Sequence, residues 1–143
     1  MPTMDFTKFI LESKAVRFGD FRLKSGRRSP VFFDFGLLTD GRELSRLGAF
    51  FADFIVENSL HDVDVLFGPA YKGISIAVAT SIALYEKRGI VIPFAYNRKD
   101  EKSHGEGGKY VGADLRQAAS ALILDDVFTD GGTKYETVET LQK

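Results

Sequence analysis

The chain of 143 residues contains no cysteine. Thiol catalysis, disulfides and thiolate metal sites are thereby excluded, and the composition suits a reducing cytosol. Histidine is scarce: only His61 and His104 are present, with no spacing that makes a ligand set, so a histidine-built metal centre is not expected. An excess of one charge is also missing. Nineteen Lys and Arg against 20 Asp and Glu leave a net charge of -1, which argues against a dedicated nucleic-acid binder. No apolar run nears the roughly 18 residues of a membrane span. The N-terminus lacks a basic segment followed by an apolar core, so neither a signal peptide nor a membrane partner is expected. Two nucleotide-binding signatures are absent as well. The glycine-rich stretch near the C-terminus has no Lys before its final Thr, as a Walker A requires, and no Gly-x-Gly-x-x-Gly spacing.

What is present is an ordinary globular composition, 44% hydrophobic and 27% charged. At a prior of about 150 residues per domain the chain reads as one domain. Its most informative stretch is ALILDDVFTDGGT at 121–133. Ala121 to Leu124 read as a strand buried on both faces, because a continuous apolar run stops at turn chemistry. Asp125 and Asp126 then stand at the strand's carboxyl end, before Gly131 and Gly132 and a helix starting near Thr133. A helix N-terminus with free amides receives a phosphate, and nearby carboxylates can hold sugar hydroxyls or a divalent cation. Asp and Gly are equally common as plain turn formers at such junctions.

Earlier in the chain, residues 5–13 read as a short amphipathic helix with Phe6, Phe9 and Ile10 on one stripe and Asp5 as its cap. Val16, Phe18, Phe21 and Leu23 alternate around Gly19-Asp20, which suits a hairpin turning there. A basic loop with Lys24, Arg27 and Arg28 leads into a strand carrying Phe32 and Phe33, only one of which can face a given core. Its plain reading is a solvated turn before an edge strand. Asp40 and Glu43 form a capping box ahead of Leu44, Leu47, Phe51, Phe54 and Ile55, which predicts a helix over 41–58 packed on a sheet. Strand 63–67, loop 68–73, helix 74–88 stopping at Gly89, and strand 90–95 follow. Strands joined by helical crossovers imply a parallel sheet, with ligands gathered outside the strands' carboxyl ends. Residues 97–112 show no hydrophobic period and read as a long flexible loop whose cations suit an anionic substrate, or as a hydrophilic loop with no binding role.

Four motifs in order, LKSGRRSPVFF, LFGPAYKG, NRKDEKSHGEGG and LILDDVFTDGGT, resemble the orotate phosphoribosyltransferases, a family of type I phosphoribosyltransferases. The resemblance runs from about residue 5 to the end. It implies an α/β fold with a central parallel sheet flanked by helices, a hood of hairpin and helix over about 1–40, and a core over about 41–143. The implied activity is Mg²⁺-dependent transfer of phosphoribose from 5-phosphoribosyl 1-diphosphate to N1 of orotate in pyrimidine synthesis. By the same resemblance Tyr71, Lys72, Arg98, Lys99, Lys102 and His104 contact the diphosphate sugar. Asp125 and Asp126 hold its ribose hydroxyls, Thr129, Asp130, Gly131, Gly132 and Thr133 receive its 5'-phosphate, and Val127 and Phe128 also contact the diphosphate sugar. Lys102, His104, Asp125 and Asp126 are the catalytic candidates; Lys24, Phe32, Phe33 and Thr129 are those for orotate. Mg²⁺ is expected on substrate oxygens more than on protein ligands. A cytoplasmic homodimer sharing the 97–112 loop between subunits completes the implied picture.

Two departures from the family pattern stand out. Gly132 follows Thr129-Asp130-Gly131 where the family commonly has Thr or Ser, and Asp130 is expected to point away from a phosphate that would repel it. Family chains also continue well past the position of Lys143, so this chain reads as incomplete at its C-terminus. Transfer to a purine base, or a non-catalytic sensor of the diphosphate sugar, are the alternatives to orotate chemistry.

Overall fold

Apolar periodicity and glycine placement account for most of the architecture in the computed structural model, which describes residues 2–102, 108–127, 138 and 141–142. The chain divides into two compact units: Met1–Glu43 with Asp126–Lys143, and Leu44–Asp125.

In the first unit, helix α1 spans Pro2–Glu12 and buries Phe9 and Ile10. Asp5 lies inside its first turn, where a carboxylate complements the helix dipole, so the helix begins before the expected cap. Strands β1 (Val16–Arg22) and β2 (Arg28–Phe33) pair antiparallel. The expected turn at Gly19-Asp20 is corrected by this pairing. These two residues fall where the register shifts between Phe18 and Phe21, so they form a bulge within β1. The chain reverses instead at Leu23–Arg27, closed by Leu23 N to Arg27 O at 2.8 Å and Gly26 N to Leu23 O at 2.8 Å. Gly26 supplies the φ of +88° that this turn needs. Past β2, Asp34 caps a single 3₁₀ turn by accepting from Gly36 N, and Phe35 and Leu38 are buried.

Helix α2 spans Gly41–Glu57. Its N-terminus is tied as the Asp40/Glu43 spacing predicts: Glu43 N donates to Asp40 Oδ1 at 2.8 Å, while the Glu43 carboxylate accepts from Thr39 N at 3.0 Å. Leu47, Gly48, Ala52 and Ile55 form its buried stripe, whereas Phe54, expected on that stripe, is 59% exposed. The stripe is displaced because Gly48 lets α2 approach α3 (Lys72–Arg88) closely: a Cβ there would lie 2.3 Å from the Ala79 carbonyl oxygen. Asp53 clasps the same two helices, accepting from Lys87 at 2.8 Å and Arg88 at 3.2 Å. Burial raises the Asp53 pKa, but hydrogen bonds from the two cations outweigh it and hold the carboxyl below its usual range. Helix α3 ends at Gly89 in the left-handed region, as predicted, with Gly89 and Ile90 amides returning to Tyr85 and Leu84 carbonyls.

The sheet of the second unit has the order β5-β4-β3-β6, with β3 (Val65–Phe67) at its centre. Strand β3 runs parallel to β4 (Phe94–Lys102) and to β6 (Ala121–Ile123), as the crossovers require. Strand β5 (Gly108–Gly112) returns antiparallel beside β4. Two expectations differ here. The strand placed at 90–95 starts at Phe94 and continues to Lys102, so both ends of the segment read as a loop are strand. The polar composition hid this, because β4 and β5 pair mainly with each other beyond the end of β3, and backbone pairing by itself asks for no apolar period. Strand β6 was expected to be covered on both faces. Among the described residues it has one neighbour, and only Leu124, just past its end, is buried.

At the start of β3 and β6, Asp64 Oδ2 accepts from Ala119 N at 2.7 Å and Ser120 N at 3.1 Å. Ser120 Oγ in turn accepts from Asp64 N at 3.1 Å. Two chain segments far apart in sequence are thus pinned in register by one side-chain pair.

Candidate active site

The carboxyl end of β3 is where the second unit gathers its candidate groups. Leu124 N donates to Phe67 O at 2.8 Å, so β6 stays beside β3 to its last residue and delivers Asp125 at the same end. From β3 the chain enters 68–71 and then α3. Gly68 and Gly73 make this loop fold tightly on itself. A Cβ on Gly68 would lie 2.1 Å from Gly73 O, and one on Gly73 would lie 2.9 Å from Leu124 O. Only hydrogen fits at either position, and the loop therefore packs against the carbonyl that immediately precedes Asp125.

Tyr71 and Lys72 project from this loop. Tyr71 stands at the N-cap of α3 without a side-chain capping bond, is 70% exposed, and is joined to Ala70 by a cis peptide bond. Two amides that follow it are committed internally: Gly73 N donates to Pro69 O at 3.1 Å and Ile74 N to Tyr71 O at 3.2 Å. Ala70 N donates to Asn97 Oδ1 at 2.8 Å. An anion arriving here would meet the Tyr71 hydroxyl, the Lys72 ammonium and the positive end of the α3 dipole.

On the other side of β3, Arg98 and Lys99 lie in β4. Arg98 is half-buried and donates from Nη1 to Gly108 O at 3.1 Å, bracing the hairpin across its width, whereas Lys99 is exposed. The hairpin also places Tyr110 edge-on to Phe67, with ring centroids 6.0 Å apart. The Tyr110 hydroxyl is buried without a hydrogen-bond partner among the described residues, and burial raises its pKa.

The first unit holds the other candidates. Arg17 lies opposite Phe32 in the β1–β2 ladder, its guanidinium 5.4 Å from the Phe32 ring centre and 5.9 Å from that of Phe21. Phe21 and Phe32 are themselves 5.5 Å apart, and Arg17 pairs with Asp34 at 3.6 Å. The face of Phe32 is therefore occupied within the protein. Phe33, on the opposite face of the ribbon beside Val16, is 38% exposed. Lys24 sits exposed in the reversing turn, and Asp126 and Val127 are half-buried.

Several candidates lie outside the described residues: His104, and Phe128, Thr129, Asp130, Gly131, Gly132 and Thr133 with the helix expected from Thr133. The Lys102 backbone ends β4. Of the residues described, the second unit brings Tyr71, Lys72 and Asp125 to one end of the sheet and sets Arg98 and Lys99 on the strand beside it. Asn97 had no signal of its own, since nothing local shows that its partner is Ala70. The tight fit at Gly68 and Gly73 was foreshadowed only by two glycines flanking a strand-to-helix turn.

No family model matches the chain. Individual proteins do. The chain is 47% identical to an orotate phosphoribosyltransferase of Bifidobacterium adolescentis, over 96% of its own length and 62% of that protein's. It is 49% identical to one from Shewanella oneidensis, over 96% of its length and 63% of the relative's. Among solved structures, the orotate phosphoribosyltransferase of Francisella tularensis superimposes with a TM-score of 0.77 at 40% identity, covering 96% of this chain and 64% of that one. The chain thus spans somewhat less than two thirds of the length of these relatives.

Proposed function

We propose that this chain belongs with the orotate phosphoribosyltransferases to which it is similar, and that it takes part in Mg²⁺-dependent transfer of phosphoribose from 5-phosphoribosyl 1-diphosphate to N1 of orotate. The products are orotidine 5'-monophosphate and diphosphate, in pyrimidine nucleotide synthesis. The observation that carries the reading is the packing of the Gly68–Gly73 loop against Leu124 O, which sets Tyr71 and Lys72 beside the strand end that leads into Asp125.

Breaking the bond at C1' builds positive charge on the ribose and negative charge on the departing diphosphate. Catalysis then consists of holding two separating charges with groups already in place. Lys72 and the hairpin cations Arg98, Lys99 and Lys102 take the diphosphate side, with His104 as a proton or hydrogen-bond donor. Asp125 and Asp126 accept from the ribose hydroxyls, fixing the sugar against rotation while the base approaches C1'. Residues 129–133 receive the 5'-phosphate, with Asp130 turned outward. Phe33 offers a ring face to the pyrimidine and Lys24 a cation to its carboxylate. Magnesium is a hard ion commonly held by one or two carboxylates together with substrate phosphates, and Asp125 and Asp126 are donors of that kind. When bound it would neutralise charge on the diphosphate.

The reading extends to one phosphoribosyltransferase domain, with its hood over about 1–40, that works in the cytoplasm as a homodimer exchanging the 97–112 hairpin. No helix among the described residues is long and apolar enough to cross a membrane. The test is diphosphate release by the chain with 5-phosphoribosyl 1-diphosphate, Mg²⁺ and either orotate or a purine. Release with orotate alone is the expected result; release with the purine alone, or binding without release, refutes it. Lys102→Ala should lower turnover more than substrate affinity, since a cation acting on the leaving group matters most as charge develops.

A further inference from the structure

Two hydrogen bonds tie β4 to the loop that opens α3: Gly68 N donates to Ala95 O at 3.0 Å in the backbone ladder, and a side chain of β4 makes the second. Asn97 Oδ1 accepts from Ala70 N at 2.8 Å, across 27 positions of sequence and in a half-buried setting. Both ends of the bond are otherwise constrained. Asn97 stands opposite Tyr110 in the β4–β5 ladder, and the next residue, Arg98, braces that hairpin through Gly108 O. Ala70 follows Pro69 and precedes Tyr71, in a loop already pressed between Gly68, Gly73 and Leu124 O. The amide of Ala70 belongs to neither a helix nor a strand ladder, so the bond from the Asn97 carboxamide is what satisfies it.

We propose that Asn97 is a positioning residue: its carboxamide oxygen locks the base of the β4–β5 hairpin to the 68–71 loop and so sets where Tyr71 and Lys72 meet a diphosphate. The inference rests on the phosphoribosyl reading and adds to it a residue that the motif resemblance leaves without a role. The chemistry favours an amide over an acid at this position. A carboxylate would accept the same bond from Ala70 N, yet would place a negative charge next to a loop that receives an anion. Asparagine holds the loop and stays neutral. The same bond links the strand that carries Arg98 and Lys99 to the loop that leads into Tyr71 and Lys72.

Two variants of the 143-residue chain test this, Asn97→Leu and Asn97→Asp. Three quantities are followed: hydrogen exchange at the Ala70 amide, thermal melting, and calorimetric affinity for 5-phosphoribosyl 1-diphosphate with Mg²⁺. Asn97→Leu removes the acceptor, so Ala70 exchange should accelerate and affinity should fall, each by about tenfold. Asn97→Asp should keep the slow Ala70 exchange and the parent's melting temperature. Its affinity should nonetheless fall about tenfold at low salt and recover as salt is added. A merely structural role moves affinity only together with melting and cannot produce the salt-dependent loss in Asn97→Asp. Parent-like affinity in a folded Asn97→Leu overturns the proposal. Should Asn97→Leu fail to fold, Asn97→Asp decides alone, and parent-like affinity at low salt overturns it. A parent chain that does not bind the diphosphate sugar refutes the phosphoribosyl reading itself, a result distinct from equal binding by parent and variants.

Discussion

In the four-stranded sheet, β3 is at most 1% exposed along its whole length, whereas no residue of the β1–β2 ribbon is buried and Phe18 remains 70% exposed. The contrast carries over to the turns that leave each sheet. The loop after β3 is closed by sterics: Gly68 and Gly73 touch backbone on the side where a Cβ would go. The turn after β1 is closed by dihedral choice, with Gly26 at positive φ and nothing within 4 Å of its missing Cβ. The first arrangement fixes the backbone from which the exposed Tyr71 and Lys72 side chains project. The second leaves aromatic and basic side chains on an open ribbon, where they can meet a ligand at little cost to the fold.

The contrast breaks first under an added methyl group. Gly68→Ala puts a Cβ about 2.1 Å from Gly73 O and 2.9 Å from the Ala77 Cβ, so overpacking should cost about 3 kcal/mol. Gly26→Ala meets no atom and should cost only about 1 kcal/mol, from its left-handed backbone. Urea denaturation of both variants measures the difference, and equal costs would remove the distinction between the two turns. Next in size is a pair of aromatic truncations on the ribbon. On the proposed function, Phe33→Ala should weaken orotate binding about tenfold while changing stability by about 1 kcal/mol, and Phe18→Ala should leave orotate affinity alone. Equal effects on affinity would show that exposure on the ribbon does not distinguish a ligand platform from ordinary surface.

The rigid sheet can be sharpened as well as broken. Tyr110→Phe removes a buried hydroxyl that has no partner among the described residues, and should stabilise the protein by about 1 kcal/mol in thermal or urea unfolding. A loss of that size would mean that the hydroxyl is satisfied by residues beyond those described. The smallest effect is set by acid. Asp114 is held at about 2, first by the Arg116 side-chain hydrogen bond and then by the Arg116 amide. Because its folded value lies below the usual 3.8, its contribution to stability is complete above 3.8 and lost as pH falls to about 2. The parent's urea midpoint should therefore fall more steeply over that window than that of Asp114→Asn. Parallel curves would show that this exposed pair contributes nothing measurable.

Reading from residues alone reached the elements whose cause is local. The Asp40 and Glu43 cap, the helix stop at Gly89 and the buried core of β3 each follow from a handful of neighbouring residues, and each stands within a residue or two of its expected place. The reading missed where the cause was distant. Gly19-Asp20 has turn composition, yet pairing with β2 makes it a bulge. Residues 97–112 have loop composition, yet β4 and β5 satisfy each other's backbone and need no apolar stripe to do so.

The candidate site divides along the same line. Asp125 at a strand end and Lys72 at a helix start were legible, because an apolar run ending in turn residues announces a strand's carboxyl end. Tertiary structure alone decided that Phe32 is engaged by Arg17 and Phe21 while Phe33 is left open, and that Asn97 holds Ala70. The amino-acid order determines backbone preference and apolar period over a few residues at a time. Which side chain meets which amide 27 positions away depends on strand pairing and on how closely glycines let the chain approach itself, and these exist only once the fold has formed.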